Sequence, residues 1–246
     1  MTSARVLIVP AAGRGLRLGA AVPKVLVPVN GRPMLHHLLD LHAPFVGRAI
    51  VVASPEARDV VAASAGVSGL ETAVVTQATP TGMLDAIVIG IEAAADYGAD
   101  RLWITWGDQV GVQAGTLERL AAVEAGTDVA LPTVFRSEPY ISFERNPQGT
   151  IERVLQRREG DVMPARGESD MGVFSLSATA AFDWLPEYAR TTGVGGGTGE
   201  RNFLPFIAWA AARGTVATCE PLDAREAVGI NTPDELEHLA RWMRSR

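Results

Sequence analysis

Two cations follow a run of very small residues near the start of the chain: Ala11-Ala12-Gly13-Arg14-Gly15 is succeeded by Arg17 and then by Lys24. Small side chains let backbone N–H groups approach an anion closely, so the stretch suits a phosphate nest. Arg17 supplies a fork of donors and Lys24 a point charge, which together suit a polyphosphate. A strand-to-helix turn with ordinary surface charges accounts for the same residues. The stretch is not a dinucleotide-binding G-x-G-x-x-G, because the third glycine is out of place. It is not a Walker A loop, because no Gly-Lys-Ser/Thr follows. Gln77 carries an amide that both donates and accepts. Asp108 closes an apolar segment directly after Gly107 and offers a hard oxygen of the kind Mg²⁺ requires, although an aspartate there also serves as a helix cap. Asn231 precedes a helix start, where it is equally a turn residue. Arg157 and Arg158 are adjacent cations suited either to an acceptor phosphate or to a solvated face.

The elements that must position these residues alternate along the first half. Val6–Val9, Ala49–Ala53, Thr72–Thr76, Arg101–Trp106 and Asp128–Thr133 read as buried parallel strands. Helices are expected between them, at Pro33–His42, Pro55–Ala65, Gly82–Tyr97 and Thr116–Glu124. This β-α-β-α succession predicts a mostly parallel sheet covered on both faces. The second half differs. Pro139–Gly160 reads as hairpins, with Ile141–Phe143 and Thr150–Leu155 as arms, and Met171–Leu176 and Thr215–Cys219 read as further strands. Gly193–Gly199 has five glycines in seven residues and is expected to be a mobile loop. Asn202–Arg213 reads as an apolar helix, and Thr232-Pro233-Asp234-Glu235 as a capped helix start. Residues 1–246 are expected to form one domain, in which 136–246 supplies a substrate-side subregion and completes the sheet begun by 1–135.

Composition narrows the classes. In 246 residues, 47% hydrophobic and 20% charged, a sizeable core can form. A net charge of -6 with no Lys/Arg block argues against nucleic acid or an anionic membrane as partner. No apolar run reaches the roughly 18 residues a membrane span needs. The start of the chain runs straight into a strand, without a signal-peptide pattern. One cysteine, Cys219, makes no internal disulfide, so the cytoplasm is the expected compartment. The four histidines lack metal-ligand spacing and read as structural.

Val9-Pro10-Ala11-Ala12-Gly13-Arg14-Gly15-Leu16-Arg17-Leu18, then Pro23-Lys24-Val25-Leu26, then Val29-Asn30-Gly31-Arg32-Pro33-Met34-Leu35 together resemble the signature of the sugar-1-phosphate nucleotidyltransferase (nucleoside-diphosphate-sugar pyrophosphorylase) superfamily. The resemblance extends over nearly the whole chain. It lies nearest the N-acetylglucosamine-1-phosphate uridylyltransferase domain and the glucose-1-phosphate thymidylyltransferases. It implies a Rossmann-like, three-layer α/β fold of the glycosyltransferase-A-like type, with a smaller acceptor-side β subregion. Ala11, Ala12, Gly13, Arg14 and Gly15 would then hold the nucleotide, with Gln77, Gly82 and Met83 at the base. Gly107-Asp108 looks like the family's metal-binding pair, and Val228-Gly229-Ile230-Asn231 resembles the stretch whose asparagine gives the second Mg²⁺ oxygen. On the acceptor side the likeness implies Gln156, Arg158, Asp170, Gly172 and Glu200. Gln156 stands near a usual glutamate, and Asp170-Met171-Gly172 near a usual Asn-Thr-Gly, so the acceptor departs from the customary sugar.

The mechanism so implied is attack of a phosphomonoester on the α-phosphorus of a nucleoside triphosphate, UTP or dTTP by preference. Arg17, Lys24 and Asp108 are the catalytic residues, and Mg²⁺ on Asp108 and Asn231 is the cofactor. Two alternatives remain: a cytidylyltransferase acting on a phosphorylated alcohol or cyclitol, and a catalytically silent regulatory nucleotide-sugar binder. A monomer or small homo-oligomer is expected. The β-helix acetyltransferase domain of the bifunctional uridylyltransferases has no counterpart in these 246 residues, so only the nucleotidyl step is expected.

Overall fold

Val6, Leu7, Ile8 and Val9 are almost wholly buried, because the strand they form is covered on both faces. In the computed structural model, which describes residues 4–13, 18–19 and 21–246, strand β1 (Arg5–Pro10) is followed by a small hairpin, β2 (Pro28–Val29) with β3 (Arg32–Pro33). β1 lies between two parallel neighbours, β4 (Arg48–Ala53) and β6 (Arg101–Thr105), and β5 (Thr72–Thr76) extends the parallel group beyond β4.

Side chains alternate across this sheet and divide the core in two. Val6, Ile8, Ile50, Val52, Leu102 and Ile104 share one face with α3 (Met83–Ala94), α5 (Leu185–Thr191) and α6 (Pro205–Ala211). Leu7, Val9, Ala49, Val51 and Trp103 share the other with α1 (Met34–His42), α2 (Arg58–Ala65), α4 (Ala114–Val123) and α7 (Pro233–Arg244). Each fully buried aliphatic side chain contributes about 1.5–3 kcal/mol over its exposed state, so neither face can be left open. The result is the expected three-layer α/β architecture.

The remaining strands are β7 (Val129–Ser137), β8 (Ile141–Arg145), β9 (Ile151–Gln156), β10 (Arg166–Asp170), β11 (Val173–Ser177) and β12 (Val216–Cys219). The sheet runs β5-β4-β1-β6-β11-β7-β10-β8-β9, with β12 beside β7. β11 is antiparallel to both β6 and β7 and separates them, so the fifth strand expected from sequence is not adjacent to the fourth. β7 is also longer than Asp128–Thr133. Its first part pairs with β12 and its second with β10, which carries the chain from the main sheet into the smaller antiparallel region of β10, β8 and β9.

Two further elements lie where the sequence shows no periodic signal. β10 reads Arg-Gly-Glu-Ser-Asp, and is a strand because Glu168 is held by Arg145 through two bonds of 2.7 Å and Ser169 donates to the Ile141 carbonyl at 2.5 Å. A helical stretch from Ala180 to Thr191 opens with a π turn and continues as α5, with Pro186 just after the junction.

The chain leaves β1 toward β4 and β5 on one side and returns to β6 on the other. The connections that leave the carboxyl ends of β1 and β6 therefore diverge and leave a crevice, where open α/β sheets place ligands.

Candidate active site

The crevice opens into a cavity of about 720 Å³, lined by Pro10 at the end of β1, by Ala11 and Gly13 beyond it, and by Trp106, Gly107 and Asp108 beyond β6. Gly107 is needed for close approach: a Cβ there would lie 2.7 Å from Val25 Cγ1. Val25 is buried in the single 3₁₀ turn Lys24–Leu26. Its burial against the strand ends is what delivers Lys24 to the cavity. Lys24 Nζ donates to the Asp108 carboxylate and, at 3.0 Å, to Asn231 Oδ1.

Asn231 reaches this point from the far end of the chain. Ile230 is fully buried, and its N–H donates to the Asp108 carbonyl at 3.3 Å. Thr232 and Glu235 form a capping box at the start of α7. The Glu235 carboxylate also accepts from the Asn231 N–H at 2.7 Å, so helix capping and site geometry share one side chain. Beside them Gln109 is buried, and its Oε1 has no hydrogen-bond donor among the described residues.

The residues present fit Mg²⁺. One carboxylate and one amide oxygen converge on a single cationic position, now bonded by the Lys24 ammonium. No group of three or more His, Cys, Asp or Glu able to hold a metal occurs among the described residues, and Mg²⁺ characteristically takes one or two protein oxygens and completes its shell with water and substrate phosphates.

At the other end of the crevice a recess of about 130 Å³ contains Gln77, Gly82 and Met83, with Ala12 and Gly13 on its near wall. Gln77 is 4% exposed. Its backbone N–H is held by the Ala53 carbonyl at 2.9 Å, and its Nε2 donates to the Gly82 carbonyl at 3.2 Å. Gly82 has φ of +129°, and a Cβ there would meet the Arg201 backbone at 2.5 Å. Only glycine fits that conformation and that gap.

The acceptor-side residues gather around two adjoining hollows. Gln156, Arg158 and Glu200 line one of about 170 Å³, and Asp170, Arg158 and Arg136 line one of about 380 Å³. Burial pushes the Asp170 carboxyl up to about 6, although the Gly172 N–H bond and the Arg136 charge pull it down. Gly172 serves Trp106: its carbonyl accepts from the Trp106 N–H at 2.8 Å, and a Cβ would meet the indole at 2.3 Å. Arg157 turns away from the hollows, donates to the Glu138 carbonyl at 3.0 Å and lies over Tyr140.

Lys24, Asp108 and Asn231 are thus brought together, and Gly13 and Glu200 share cavities with them and with Gln77. Arg14, Gly15 and Arg17 lie outside the described residues. Trp106, Arg136, Glu159 and Arg201 are site residues that the sequence reading missed. Trp106, Glu159 and Arg201 had one available signal, adjacency to Gly107-Asp108, to Arg158 and to Glu200; Arg136 had none. His36, His37 and His42 bond to backbone carbonyls and pack α1. Cys219 is half-buried, and burial raises its thiol to about 11.

A family model described as a MobA-like NTP transferase domain matches residues 7–173. The chain belongs to that family. The match takes in the opening segment, Gln77, Asp108, Gln156 and Asp170, and places the chain among the nucleotidyltransferases. Among curated proteins, the chain is similar to the bifunctional protein GlmU of Pseudomonas aeruginosa (strain LESB58), at 30% identity over 96% of this chain and 51% of that protein. Against the bifunctional protein GlmU of Acidovorax sp. (strain JS42) the identity is 32% over 96% and 50%. The chain spans about half the length of these relatives. Its fold is similar to that of 4-diphosphocytidyl-2C-methyl-D-erythritol synthase from Anaerococcus prevotii DSM 20548, with a TM-score of 0.71 at 12% identity, covering 99% of this chain and all of that one. No helix among the described residues is long and apolar enough to cross a membrane.

Proposed function

We propose that the chain transfers a nucleotidyl group from a nucleoside triphosphate, UTP or dTTP by preference, to a sugar 1-phosphate or a similar phosphorylated small molecule, and releases pyrophosphate. The observation that carries this reading is the meeting of Lys24, Asp108 and Asn231 at one wall of the cavity beyond β1 and β6, with Gln77 in the adjoining recess. The similarity to GlmU over 96% of the chain supports it.

The acceptor's phosphate oxygen is already anionic, so no general base is required. That oxygen forms a bond to the α-phosphorus in line, and the bond to the pyrophosphate oxygen breaks, with the electron pair leaving on pyrophosphate. Lys24 neutralises charge gathering on the α-phosphate, and the Gly13 backbone with Arg17 holds the β- and γ-phosphates. Asp108 and Asn231 would hold Mg²⁺, which when bound supplies charge neutralisation to the triphosphate. Gln77 and Gly82 orient the base, and Gln156, Arg158, Asp170 and Glu200 receive the acceptor. Residues 1–135 and 136–246 are the donor and acceptor halves of one domain.

One observation is equally compatible with a second reading, transfer of a cytidylyl group to a phosphorylated alcohol or cyclitol. Gln77 turns its NH₂ toward Gly82, so its oxygen is the atom that would meet a base. A carboxamide oxygen accepts from the cytosine N4 amino group as well as from the uracil N3–H. The test is pyrophosphate release with Mg²⁺ across UTP, dTTP, CTP, GTP and ATP, each against sugar 1-phosphates, cyclitol 1-phosphates and methylerythritol phosphate. Turnover with UTP or dTTP and a sugar 1-phosphate is expected. Turnover with CTP alone selects the second reading, and no pyrophosphate from any pairing leaves a regulatory nucleotide-sugar binder.

A further inference from the structure

Glu159 ends the short turn Arg157–Glu159 that carries Arg158; it lines the same hollow as Gln156 and Arg158, and its carboxylate bonds into the glycine-rich loop. It accepts from the Gly197 N–H at 2.8 Å, the Thr198 hydroxyl at 2.5 Å and the Asn202 amide at 2.8 Å. These bonds hold its carboxyl down at about 2. The loop is packed closely around it: a Cβ on Gly197 would lie 2.0 Å from the Arg158 carbonyl. Gly193–Gly199, expected to be mobile, is folded on itself through bonds of 2.8 Å from Gly195 N–H to Glu200 and from Gly199 N–H to Gly195.

The same segment then braces the recess that holds Gln77. Arg201 N–H donates to the Thr81 carbonyl at 2.8 Å, and the Arg201 carbonyl accepts from the Leu84 N–H at 3.1 Å. These two bonds bracket Gly82, the residue whose carbonyl receives the Gln77 amide. Arg201 also pairs with Asp85 in the first turn of α3. Glu200, between the two anchors, lines the large cavity, the Gln77 recess and the Gln156 hollow alike.

We infer that Glu159 is a positioning residue that fixes the nucleobase recess from the acceptor side, so that base discrimination depends on a carboxylate that does not touch the base. The path is Glu159 to Thr198 and Asn202, through the Arg201 backbone to Thr81 and Leu84, and so to Gly82 and Gln77. Reading the base requires the Gln77 amide and the Gly82 carbonyl to be held at fixed positions, and loss of the anchor at Thr198 and Asn202 releases the segment that holds Gly82. By reciprocity, an acceptor that shifts the Arg158 turn alters nucleotide affinity by the factor with which the nucleotide alters its own.

This inference rests on the reading of Gln77 and Gly82 as the base site. The experiment measures Kd by calorimetry, with Mg²⁺, for UTP, dTTP, CTP, GTP, ATP and inorganic pyrophosphate. The proteins are the wild type, Glu159→Ala, Glu159→Gln, Thr198→Val and Gln77→Ala. In Glu159→Ala the ratio between the weakest and tightest nucleotide is expected to shrink about tenfold, while pyrophosphate affinity moves less than about twofold. Glu159→Gln, whose carboxamide oxygen still accepts, recovers part of the ratio, and Thr198→Val loses a smaller part. The ratio is unaffected by partial misfolding, which weakens every ligand by one factor. A uniform weakening or an unchanged ratio in Glu159→Ala overturns the inference. So does an unchanged ratio in Thr198→Val, should Glu159→Ala not fold. If Gln77→Ala loses the ratio while the Glu159 variants keep it, the positioning role alone falls. If Gln77→Ala keeps it too, the base assignment falls with it.

Discussion

At the proposed donor end of the cavity the functional groups stand directly beyond buried strands, and packing contributes to their positions. Asp108 follows β6, Gly13 lies beyond β1, and Lys24 is carried by a turn anchored through buried Val25. At the proposed acceptor end, Gln156 and Asp170 sit on the small antiparallel region, which directional polar contacts help to hold in place. Arg145 and Glu168 bridge β8 and β10, and Glu159 ties down the glycine-rich loop. Non-directional packing tolerates sequence change provided volume is kept, whereas a buried polar contact is lost with one substitution. Single substitutions should therefore disturb the proposed acceptor region more readily than the strand ends that carry Gly13 and Asp108.

The largest effect that separates the two ends is catalytic. Asp108→Ala is expected to lower kcat by about 10²–10³-fold, the scale of losing one preorganised electrostatic group. Lys24→Met should cost a similar factor. Arg158→Ala at the acceptor end should instead raise the KM of the phosphorylated acceptor and leave that of the nucleotide alone. Steady-state kinetics with each substrate varied in turn checks this. Wild-type turnover in Asp108→Ala would remove the metal assignment.

The next effect is on stability and reverses the emphasis. Arg145→Ala leaves the Glu168 carboxylate, 8% exposed, without its bidentate partner. Arg145 is itself partly exposed, so leaving the buried Glu168 carboxylate without it costs about 1–3 kcal/mol, which a urea midpoint will register. The donor recess should still bind nucleotide in whatever fraction remains folded. A loss below about 1 kcal/mol would mean that the acceptor region depends on packing after all.

This contrast also explains which parts were legible in the sequence. The donor strands are continuous apolar runs with glycine or polar ends, so Val6–Val9, Thr72–Thr76 and the Gly107-Asp108 terminus could be read from composition and order. β10 could not, because Glu168 and Ser169 are stable inside a strand only through Arg145 and the Ile141 carbonyl, partners that lie far off in sequence. The insertion of β11 between β6 and β7 is a property of pairing, which no local pattern carries. Glu159 looked like one more charge on a charged hairpin, since nothing local distinguishes a carboxylate that caps a distant loop from one that faces water.

A third measurement sets the ends against each other through pH. His42, on the donor side, is fully buried, and desolvation lowers its pKa from 6.5 to about 4. It is neutral in the fold while the unfolded chain takes up a proton near 6.5, so it removes stability as pH falls from about 6.5 to about 4. Asp170, raised by burial from 3.8 to about 6, binds its proton in the fold first. It therefore adds relative stability as pH falls from about 6 to 3.8. Each acts at about 1.4 kcal/mol per pH unit, and the two oppose each other. Asp170→Asn should make the acid decline between pH 6 and 4 steeper than in the wild type, by about 2–3 kcal/mol in total, and His42→Leu should flatten it. Parallel profiles for wild type and Asp170→Asn would show that Asp170 titrates normally.

The smallest expected effect probes the one place where fold and site share a side chain. Thr232 and Glu235 cap α7 reciprocally, and losing a cap costs about 1 kcal/mol. Thr232→Ala should therefore lower stability by about that amount and change little else. Glu235→Gln keeps an acceptor oxygen but removes the charge that receives the Asn231 N–H at 2.7 Å. Asn231 Oδ1 is bonded to Lys24, which itself bonds Asp108, so a small shift of Asn231 reaches the proposed metal oxygens directly. Glu235→Gln should accordingly raise the Mg²⁺ concentration for half-maximal turnover about threefold, more than its stability loss predicts and more than Thr232→Ala does. Equal Mg²⁺ dependence in the two variants would make the capping box a helix start only. The donor end would then owe its geometry to the strand termini and to buried Val25 and Ile230, with no contribution from α7 beyond the backbone that leads into it.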